Sequence, residues 1–250
     1  MTETFAIPLA LDLAAVALGS IQGAMYAAGF RRLDLLGVAV IAIVVGIGGS
    51  FIRDVLLNIT PATLTTNIYL LTCLIAGTVG MLLQKLFVRA DPVINILDAL
   101  TLGAFTALGT TKALSFGLPE LPAMLIGVTA AVGGGMIRDV LLNMPIAVMH
   151  VGSLYAVAAI VGSGITVTLI HFGVDVTITG LVCVVLTAVL RLLAMRFGWS
   201  LPEQRAFDRK RRRKQREVEE TVAAIRTHTI ALDQLPLIDP EGPNPTPSAS

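Results

Sequence analysis

Hydrophobic positions along this chain gather into seven long runs that charged residues, proline or glycine separate. The runs cover residues 7–29, 35–57, 66–84, 93–113, 121–142, 150–171 and 175–195. A helix needs about 20 apolar residues to cross a hydrocarbon core of about 30 Å. The pattern therefore predicts an all-α integral membrane protein with seven transmembrane helices. Because no basic residue precedes the first run and Asp12 interrupts it, we expect a retained span rather than a cleaved signal peptide.

The composition agrees with a membrane protein. The chain is 55% hydrophobic and only 14% charged, whereas a soluble domain carries charge at roughly a quarter of its positions. Residues 1–200 contain nine basic and nine acidic side chains, and residues 201–250 contain nine and eight. Cys73 and Cys183 lie in apolar runs without the spacing of a metal site. The sequence also has no recognisable arrangement of nucleophile and base, phosphate-binding loop or metal cluster, so we expect no metal, no cofactor and no enzymatic activity.

An internal repeat organises the apolar part of the chain. The segment GGSFIRDVLLN, residues 48–58, matches GGGMIRDVLLN, residues 133–143, at nine of eleven positions. A shift of one residue also pairs Asp12 with Asp98. Each copy has three spans, and since three is odd the second copy enters the membrane from the opposite side, as an inverted repeat. The predicted parts are two three-helix repeats, a seventh transmembrane helix and a tail: residues 1–89, 90–173, 174–200 and 201–250.

Basic residues in the connections predict the orientation. They follow spans 1 and 3, at Arg31, Arg32, Lys85 and Arg89, and end span 7, at Arg191 and Arg196. Basic residues near span ends are retained on the cytoplasmic side. We therefore expect a multi-pass protein of the cell membrane with its N-terminus outside and its C-terminus in the cytoplasm.

Glycine runs mark the second and fifth spans. They comprise Gly46, Gly48 and Gly49 in one copy and Gly133, Gly134 and Gly135 in the other. Each glycine costs about 1 kcal/mol relative to alanine inside a helix, so the runs favour a kink or an unwound turn. Irregular backbone within a bilayer must face protein or water, which favours a wet junction between the copies. The alternative is that the glycines only let helices approach closely.

Charged side chains within the spans are the candidate site. Such groups cost about 2.5 to 3.5 kcal/mol at a helix centre and usually face a cavity or a partner. We expect Arg53 and Arg138 to enter a pathway from opposite sides, while Asp54 and Asp139 tether helix ends. Adjacent helical residues point about 100° apart, so each arginine should pair with something other than the aspartate beside it. The alternative for the arginines is snorkelling toward lipid headgroups.

Further polar residues accompany these four. Asp12 and Asp98 form a symmetric pair near the starts of spans 1 and 4, where the helix dipole alone also explains an acid. Lys112 ends span 4, where its position is that of a snorkelling anchor. Hydroxyl groups can replace the hydration shell of a cation, and the candidates are Ser50, Thr129 and Tyr155.

These motifs resemble the prokaryotic trimeric intracellular cation (TRIC) channel family. The resemblance covers about residues 8–200 and rests on the doubled glycine and Arg-Asp motif, the stretch ALGTTKALSFGLP from Ala107 to Pro119 and the layout of spans. It implies a homotrimer in which each subunit has its own pore for monovalent cations, chiefly potassium, between spans 2 and 5. It also links Lys112 to permeation. Ser50 departs from the family pattern by replacing a glycine. Relatives have also been described as glycine transporters, so a secondary carrier for a small amino acid such as glycine is the alternative.

The tail has a different composition. Eight of the twelve residues from Arg205 to Arg216 are basic, including Arg209, Lys210, Arg211, Arg212, Arg213 and Lys214. A basic block next to a membrane attracts anionic lipid headgroups, and we expect it to bind lipid rather than nucleic acid. Proline and serine dominate after Leu235, so we expect disorder there.

Overall fold

The protein is all-helical in the part that the structure, a computed structural model, describes, namely residues 8–30, 33–86, 91–149 and 154–199. The helices are α1 (Leu9–Ala28), α2 (Leu35–Leu56), α3 (Ala62–Thr65), α4 (Ile68–Leu86), α5 (Asp91–Ser115), α6 (Glu120–Leu141), α7 (Tyr155–His171) and α8 (Val176–Phe197). A single 3-10 turn, Ala147–Met149, precedes α7. The predicted fold class is therefore confirmed.

Seven of these helices correspond to the seven predicted spans. Six are long and apolar enough to cross a membrane, and α7 is an apolar helix of 17 residues. The remaining helix, α3, is one turn between α2 and α4. The tail, with its predicted lipid-binding residues, and the basic residues Arg31, Arg32 and Arg89 lie outside the described residues.

The outer surface is apolar, and the interior combines apolar clusters with glycine contacts and buried polar groups. Leu35, Ile75, Leu121 and Leu181 are between 66% and 76% exposed, as expected for side chains that face lipid. Inside, helices approach through glycine, because hydrocarbon gives large apolar side chains no preference for the interior over lipid. The interior is thus free to hold charged groups.

Helix packing follows the repeat. In the first copy α1 packs along α2 and α4, and in the second copy α5 packs along α6 and α7. Between the copies α2 packs on α6 and α1 on α5, while α8 covers α5 and α7. The two helices that carry the glycine runs therefore meet at the junction of the copies.

The repeated Leu-Leu-Asn sequence ends α2 and α6 in the same way. Asn58 and Asn143 adopt left-handed backbone conformations, with φ of 55° and 52°. The next residue's N–H then returns to an aspartate carbonyl, Ile59 to Asp54 at 3.0 Å and its counterpart Met144 to Asp139 at 2.8 Å. This Schellman cap turns the chain sharply just after each Arg-Asp pair.

Candidate functional site

The glycine runs bring α2 and α6 into backbone contact. A methyl group added to Gly48 would lie 3.2 Å from the Cα of Gly134, and one added to Gly134 would lie 2.7 Å from the carbonyl oxygen of Val45. A methyl group on Gly49 would collide with the carbonyl oxygen of Ala130. Val45 contacts Gly134 while Gly49 contacts Ala130, so the two helices cross in antiparallel directions. We call this contact the glycine crossing.

Of the kink or unwound turn expected at the glycines, the unwound turn is wrong. Both α2 and α6 remain α-helical through their runs. The physical reason is that close backbone approach adds van der Waals and weak Cα–H···O contacts, which offset the low helix propensity of glycine. Close packing, the alternative considered for the runs, accounts for these contacts.

The remaining run positions pack in a similar way. A methyl group on Gly133 would lie 2.6 Å from Ile52, and one on Gly135 would lie 3.2 Å from the hydroxyl of Tyr155. Ser50, the counterpart of Gly135, donates its hydroxyl to the Ile47 carbonyl at 2.9 Å. Thr129 likewise donates to the carbonyl of Leu125, at 2.7 Å. The proton of each of these two hydroxyls is therefore used within its own helix.

A first charge cluster lies beside the end of α2 and consists of Asp12, Arg53, Asp54, Tyr69 and Lys112. Arg53, only 1% exposed, donates from Nε to Asp54 Oδ1 at 2.8 Å and contacts Asp12 Oδ1 through Nη1 at 3.4 Å. The Tyr69 hydroxyl donates to Asp12 Oδ2 at 2.8 Å. Lys112 Nζ, from the other repeat, donates to Asp54 Oδ1 at 2.8 Å. Two carboxylates and two cations leave this cluster neutral.

A second charge cluster lies beside the end of α6 and consists of Asp98, Arg138, Asp139, Tyr155 and Arg191. Arg138 donates to Asp139 Oδ1 from Nη2 at 2.8 Å and lies 3.8 Å from Asp98 Oδ1. The Tyr155 hydroxyl donates to Asp98 Oδ1 at 3.3 Å. Arg191 Nη2, from α8, lies 3.8 Å from Asp98 Oδ2. This cluster is also neutral, and four of its members stand at the repeat positions of the first.

Each arginine has a more distant aspartate as a partner, Arg53 with Asp12 and Arg138 with Asp98, as expected, but the expectation that it does not pair with the aspartate beside it is wrong. Arg53 pairs with Asp54, and Arg138 pairs with Asp139. The angle of about 100° separates the Cβ directions, whereas a guanidinium on three methylenes can fold back to the adjacent carboxylate. Snorkelling does not apply either, because both arginines are buried.

The aspartates join chain segments as well as charges. Asp54 Oδ2 accepts the backbone N–H of Ala62 at 3.1 Å, and Asp139 Oδ2 accepts that of Ala147 at 3.0 Å. Each aspartate thus tethers the chain segment that lies eight residues after it, beyond the end of its helix. Asp98 lies beyond the first turn of α5, whose acidic residue is Asp91, so the helix dipole does not account for Asp98.

Two residues of α1 that the sequence did not single out reach the second charge cluster. Gln22 Nε2 donates to Asp98 Oδ1 at 3.2 Å. The ring of Tyr26 lies 4.3 Å from the guanidinium carbon of Arg138, and its hydroxyl donates to the sulfur of Met144 at 3.4 Å. For Tyr26 the repeat did contain a signal. The shift of 86 residues that pairs Asp12 with Asp98 also pairs Tyr26 with Lys112, which is a candidate residue from the sequence.

Two cavities adjoin these α1 residues. The smaller has a volume of about 10 Å³, close to the space of one water molecule, and its lining includes Gln22, Asp98, Thr101, Gly134 and Tyr155. The Thr101 hydroxyl is buried and has no hydrogen-bond partner among the described residues. The larger, of about 380 Å³, is formed by the ends of α1 and α4 and the start of α5 and is lined by Met25, Tyr26, Gly29, Phe30, Gln84, Asp91, Ile94 and Asn95.

These contacts define what the junction can do chemically. Carboxylate, hydroxyl and amide oxygens next to the smaller cavity can accept a cation in place of water. The guanidinium groups can bind a carboxylate through paired hydrogen bonds. A route between the copies would therefore pass groups of both signs.

Known proteins match this chain along most of the described part. The family model described as "Glycine transporter" matches twice, over residues 9–85 and 95–171, which cover the two repeats. The inner membrane protein YadS (UPF0126) of Escherichia coli K12 is 32% identical over 198 residues, covering 77% of this chain and 93% of YadS. A UPF0126 membrane protein of Vibrio cholerae is 35% identical over 195 residues, covering 77% and 80%.

Solved structures match as well. A TRIC cation channel structure is 29% identical, with a TM-score of 0.70, and covers 80% of this chain and 98% of the channel chain. The TRIC trimeric intracellular cation channel orthologue from Rhodobacter sphaeroides is 26% identical, with a TM-score of 0.71, and covers 76% and 98%. The resemblance to TRIC channels is therefore confirmed, and these neighbours are channels rather than enzymes, in agreement with the expectation for this chain.

Proposed function

Because this chain belongs to the glycine transporter family of membrane proteins and shares its fold with TRIC channels, we propose that it is a channel for monovalent cations, chiefly potassium. The pathway runs between α2 and α6 within one subunit, and the protein assembles as a homotrimer. The observation that carries the proposal is the likeness to the solved TRIC channel, which extends over 98% of that channel's chain.

The arrangement of charges supports such a pathway. Arg53 and Arg138 each follow the glycine crossing by four residues, which is about 6 Å along a helix. Since α2 and α6 cross in antiparallel directions, the two charge clusters lie on opposite sides of the crossing. A permeating cation would meet one neutral cluster, the crossing and then the other cluster.

The charge clusters can control passage without repelling every cation. Their arginines and Lys112 oppose a divalent cation twice as strongly as a monovalent one, while Asp12 and Asp98 offer oxygen ligands. A charge that moves through 100 mV changes its energy by about 2.3 kcal/mol, so shifting one of these side chains could make opening depend on voltage. The hydroxyl of Tyr155 and backbone carbonyls could complete the ligands.

Bilayer recording tests the proposal. The purified full chain in planar bilayers under a potassium chloride gradient should give discrete current steps that reverse near the potassium equilibrium potential. Reversal near the chloride potential, or no steps from protein shown to be intact, would overturn it. Gly180→Ala is the control variant for substitutions in the protein. Nothing lies within 4 Å of a methyl group at this position, so the current of this variant should equal that of the parent.

A carrier for a small zwitterion such as glycine is the second candidate. The observation that favours it is the match of both repeats to the family model described as "Glycine transporter". Asp98 and Arg138 could bind the ammonium and carboxylate groups of one ligand. Saturable glycine uptake into proteoliposomes, without unitary current, would support the carrier and exclude the channel.

The orientation and the tail complete the proposal. The N-terminus lies outside and the C-terminus in the cytoplasm, and the basic segment from Arg209 to Lys214 binds anionic lipids. Removing residues 201–250 should lower binding to vesicles that contain phosphatidylserine but leave binding to neutral vesicles unchanged. Equal binding by the full and shortened chains to both vesicles would contradict the role of the tail.

A further inference from the structure

Tyr26 lies on the helix, α1, whose residues line both cavities. It lines the larger cavity, whereas Gln22, one helical turn earlier, lines the smaller one. Residues four apart share a face of a helix, so one face of α1 follows both cavities. Any route from the larger cavity to the smaller along this face passes Tyr26.

Contacts on two sides hold the Tyr26 ring. The guanidinium of Arg138 lies 4.3 Å from the ring centroid, and the hydroxyl donates to Met144 at 3.4 Å. Arg138 is itself fixed by Asp139 at 2.8 Å. A cation stacked on an aromatic face is attracted by the ring quadrupole, and more strongly when water is excluded. The ring therefore has a preferred position over the second charge cluster.

We propose that Tyr26 is a gate: its ring, held on Arg138, separates the larger cavity from the water-sized cavity at Asp98 and Thr101, and the path opens when the ring leaves Arg138. The inference rests on the proposed permeation pathway. A rigid apolar ring in a narrow passage excludes water, and an ion cannot follow where water is excluded.

The repeat counterpart of Tyr26 shows why the gate belongs to one side only. Lys112 occupies the same repeat position and pairs with Asp54 at 2.8 Å, with its side chain 21% exposed. A flexible ammonium chain leaves room that a planar ring held on a guanidinium does not. The two ends of the pathway are therefore closed by different chemistry, an aromatic ring at one and an ion pair at the other.

The gate can be tested by chemical access, without any ionic current. Thr101→Cys places a thiol at the smaller cavity, in a background where the buried Cys73 and Cys183 are changed to alanine. The full chain in nanodiscs is treated with a cationic methanethiosulfonate reagent, and intact mass gives the rate of modification. Adding Tyr26→Ala should raise this rate about tenfold, the factor expected when a partly desolvated cation–π contact is lost.

Two matched variants isolate the ring over Arg138. Tyr26→Phe keeps the ring and should leave the rate near that of the parent. Asn95→Ala shortens another side chain of the same larger cavity outside the Tyr26–Arg138 contact, and should also leave the rate unchanged. If Tyr26→Ala does not fold, Tyr26→Leu is judged by the same criterion. Equal rates in the parent and the folded Ala or Leu variant would overturn the gate.

Bilayer recording of the same proteins separates the two proposals. Faster modification together with higher open probability in Tyr26→Ala supports both the gate and the channel. Faster modification without current in any variant supports the gate and overturns the channel. Potassium current in the parent, with modification rate and open probability unchanged by Tyr26→Ala, overturns the gate and leaves the channel standing.

Discussion

The two charge clusters contain the same repeated residues but differ in their pattern of ion pairs. In the first, the additional cation is Lys112, and it pairs with the tethering aspartate, Asp54, at 2.8 Å. In the second, the additional cation is Arg191, and it lies 3.8 Å from Asp98, the repeat counterpart of Asp12. The repeat supplies an Asp, an Arg-Asp pair and a Tyr to each cluster, and a residue outside those positions completes the charge balance.

This difference decides which carboxylate depends on the arginine alone. Among the described residues, Asp12 has Arg53 as its sole cation in the first cluster. In the second cluster, Asp139 is the aspartate with a sole cation among the described residues, and that cation is Arg138. Two sites with the same net charge and related sequences should therefore fail in different ways when their arginines are removed.

The largest predicted effect comes from the arginines. Arg53→Met and Arg138→Met should each lower the free energy of unfolding by about 3 to 5 kcal/mol, because each leaves a buried carboxylate without a cation. Thermal and denaturant unfolding of the purified protein in one detergent measures the loss.

A second substitution in the same chain shows whether the ion pairs of the two clusters differ. Asp12→Asn should restore stability to Arg53→Met, whereas Asp54→Asn should not, since Asp54 keeps Lys112. For Arg138→Met the rescuing change is Asp139→Asn rather than Asp98→Asn. Rescue at the same repeat position in both clusters would contradict the comparison.

The glycine crossing is the place where the two halves should behave alike. Gly49→Ala and Gly134→Ala each direct a methyl group at a backbone carbonyl of the opposite helix. Overpacking of this type costs about 1 to 3 kcal/mol, and the two losses should be similar because the contacts are reciprocal. Unfolding in detergent measures both, with Gly180→Ala as the control that should not lose stability. A loss in only one of the pair would show that the crossing is asymmetric.

Sequence reasoning found the framework of the site but not its connections. Apolar run length predicted the spans, and the repeat paired Asp12 with Asp98, because both signals are local or periodic. Sequence reasoning failed for the Arg-Asp pairs, because the angle between two Cβ directions does not determine where the guanidinium at the end of a long side chain lies. It also left Gln22 and Tyr26 unassigned and used Arg191 only as a sign of the cytoplasmic side, because contacts between different helices depend on how the helices pack.

The tyrosines give a smaller contrast. Tyr69 donates to Asp12 at 2.8 Å, and Asp12 has Arg53 as its only other side-chain partner among the described residues. Tyr155 donates at 3.3 Å to Asp98, which also receives Gln22. Tyr69→Phe should therefore cost about 1.5 kcal/mol, and Tyr155→Phe about 0.5 kcal/mol. Unfolding of both variants in the same detergent checks the order, and a larger loss for Tyr155→Phe would reverse the comparison.

The smallest effect concerns conduction through the first cluster. Lys112→Gln removes a partly exposed positive charge while Asp54 keeps Arg53, so the pathway gains one net negative charge without a buried group losing its last cation. Potassium conductance in planar bilayers should rise about twofold at 0.01 M salt, where the Debye length is about 30 Å, and the difference should vanish at 1 M. Lys85→Gln is the control, because Lys85 is exposed at the end of α4 and has no ion pair within the described chain. An equal rise in that variant would assign the effect to general surface charge and remove Lys112 from the pathway.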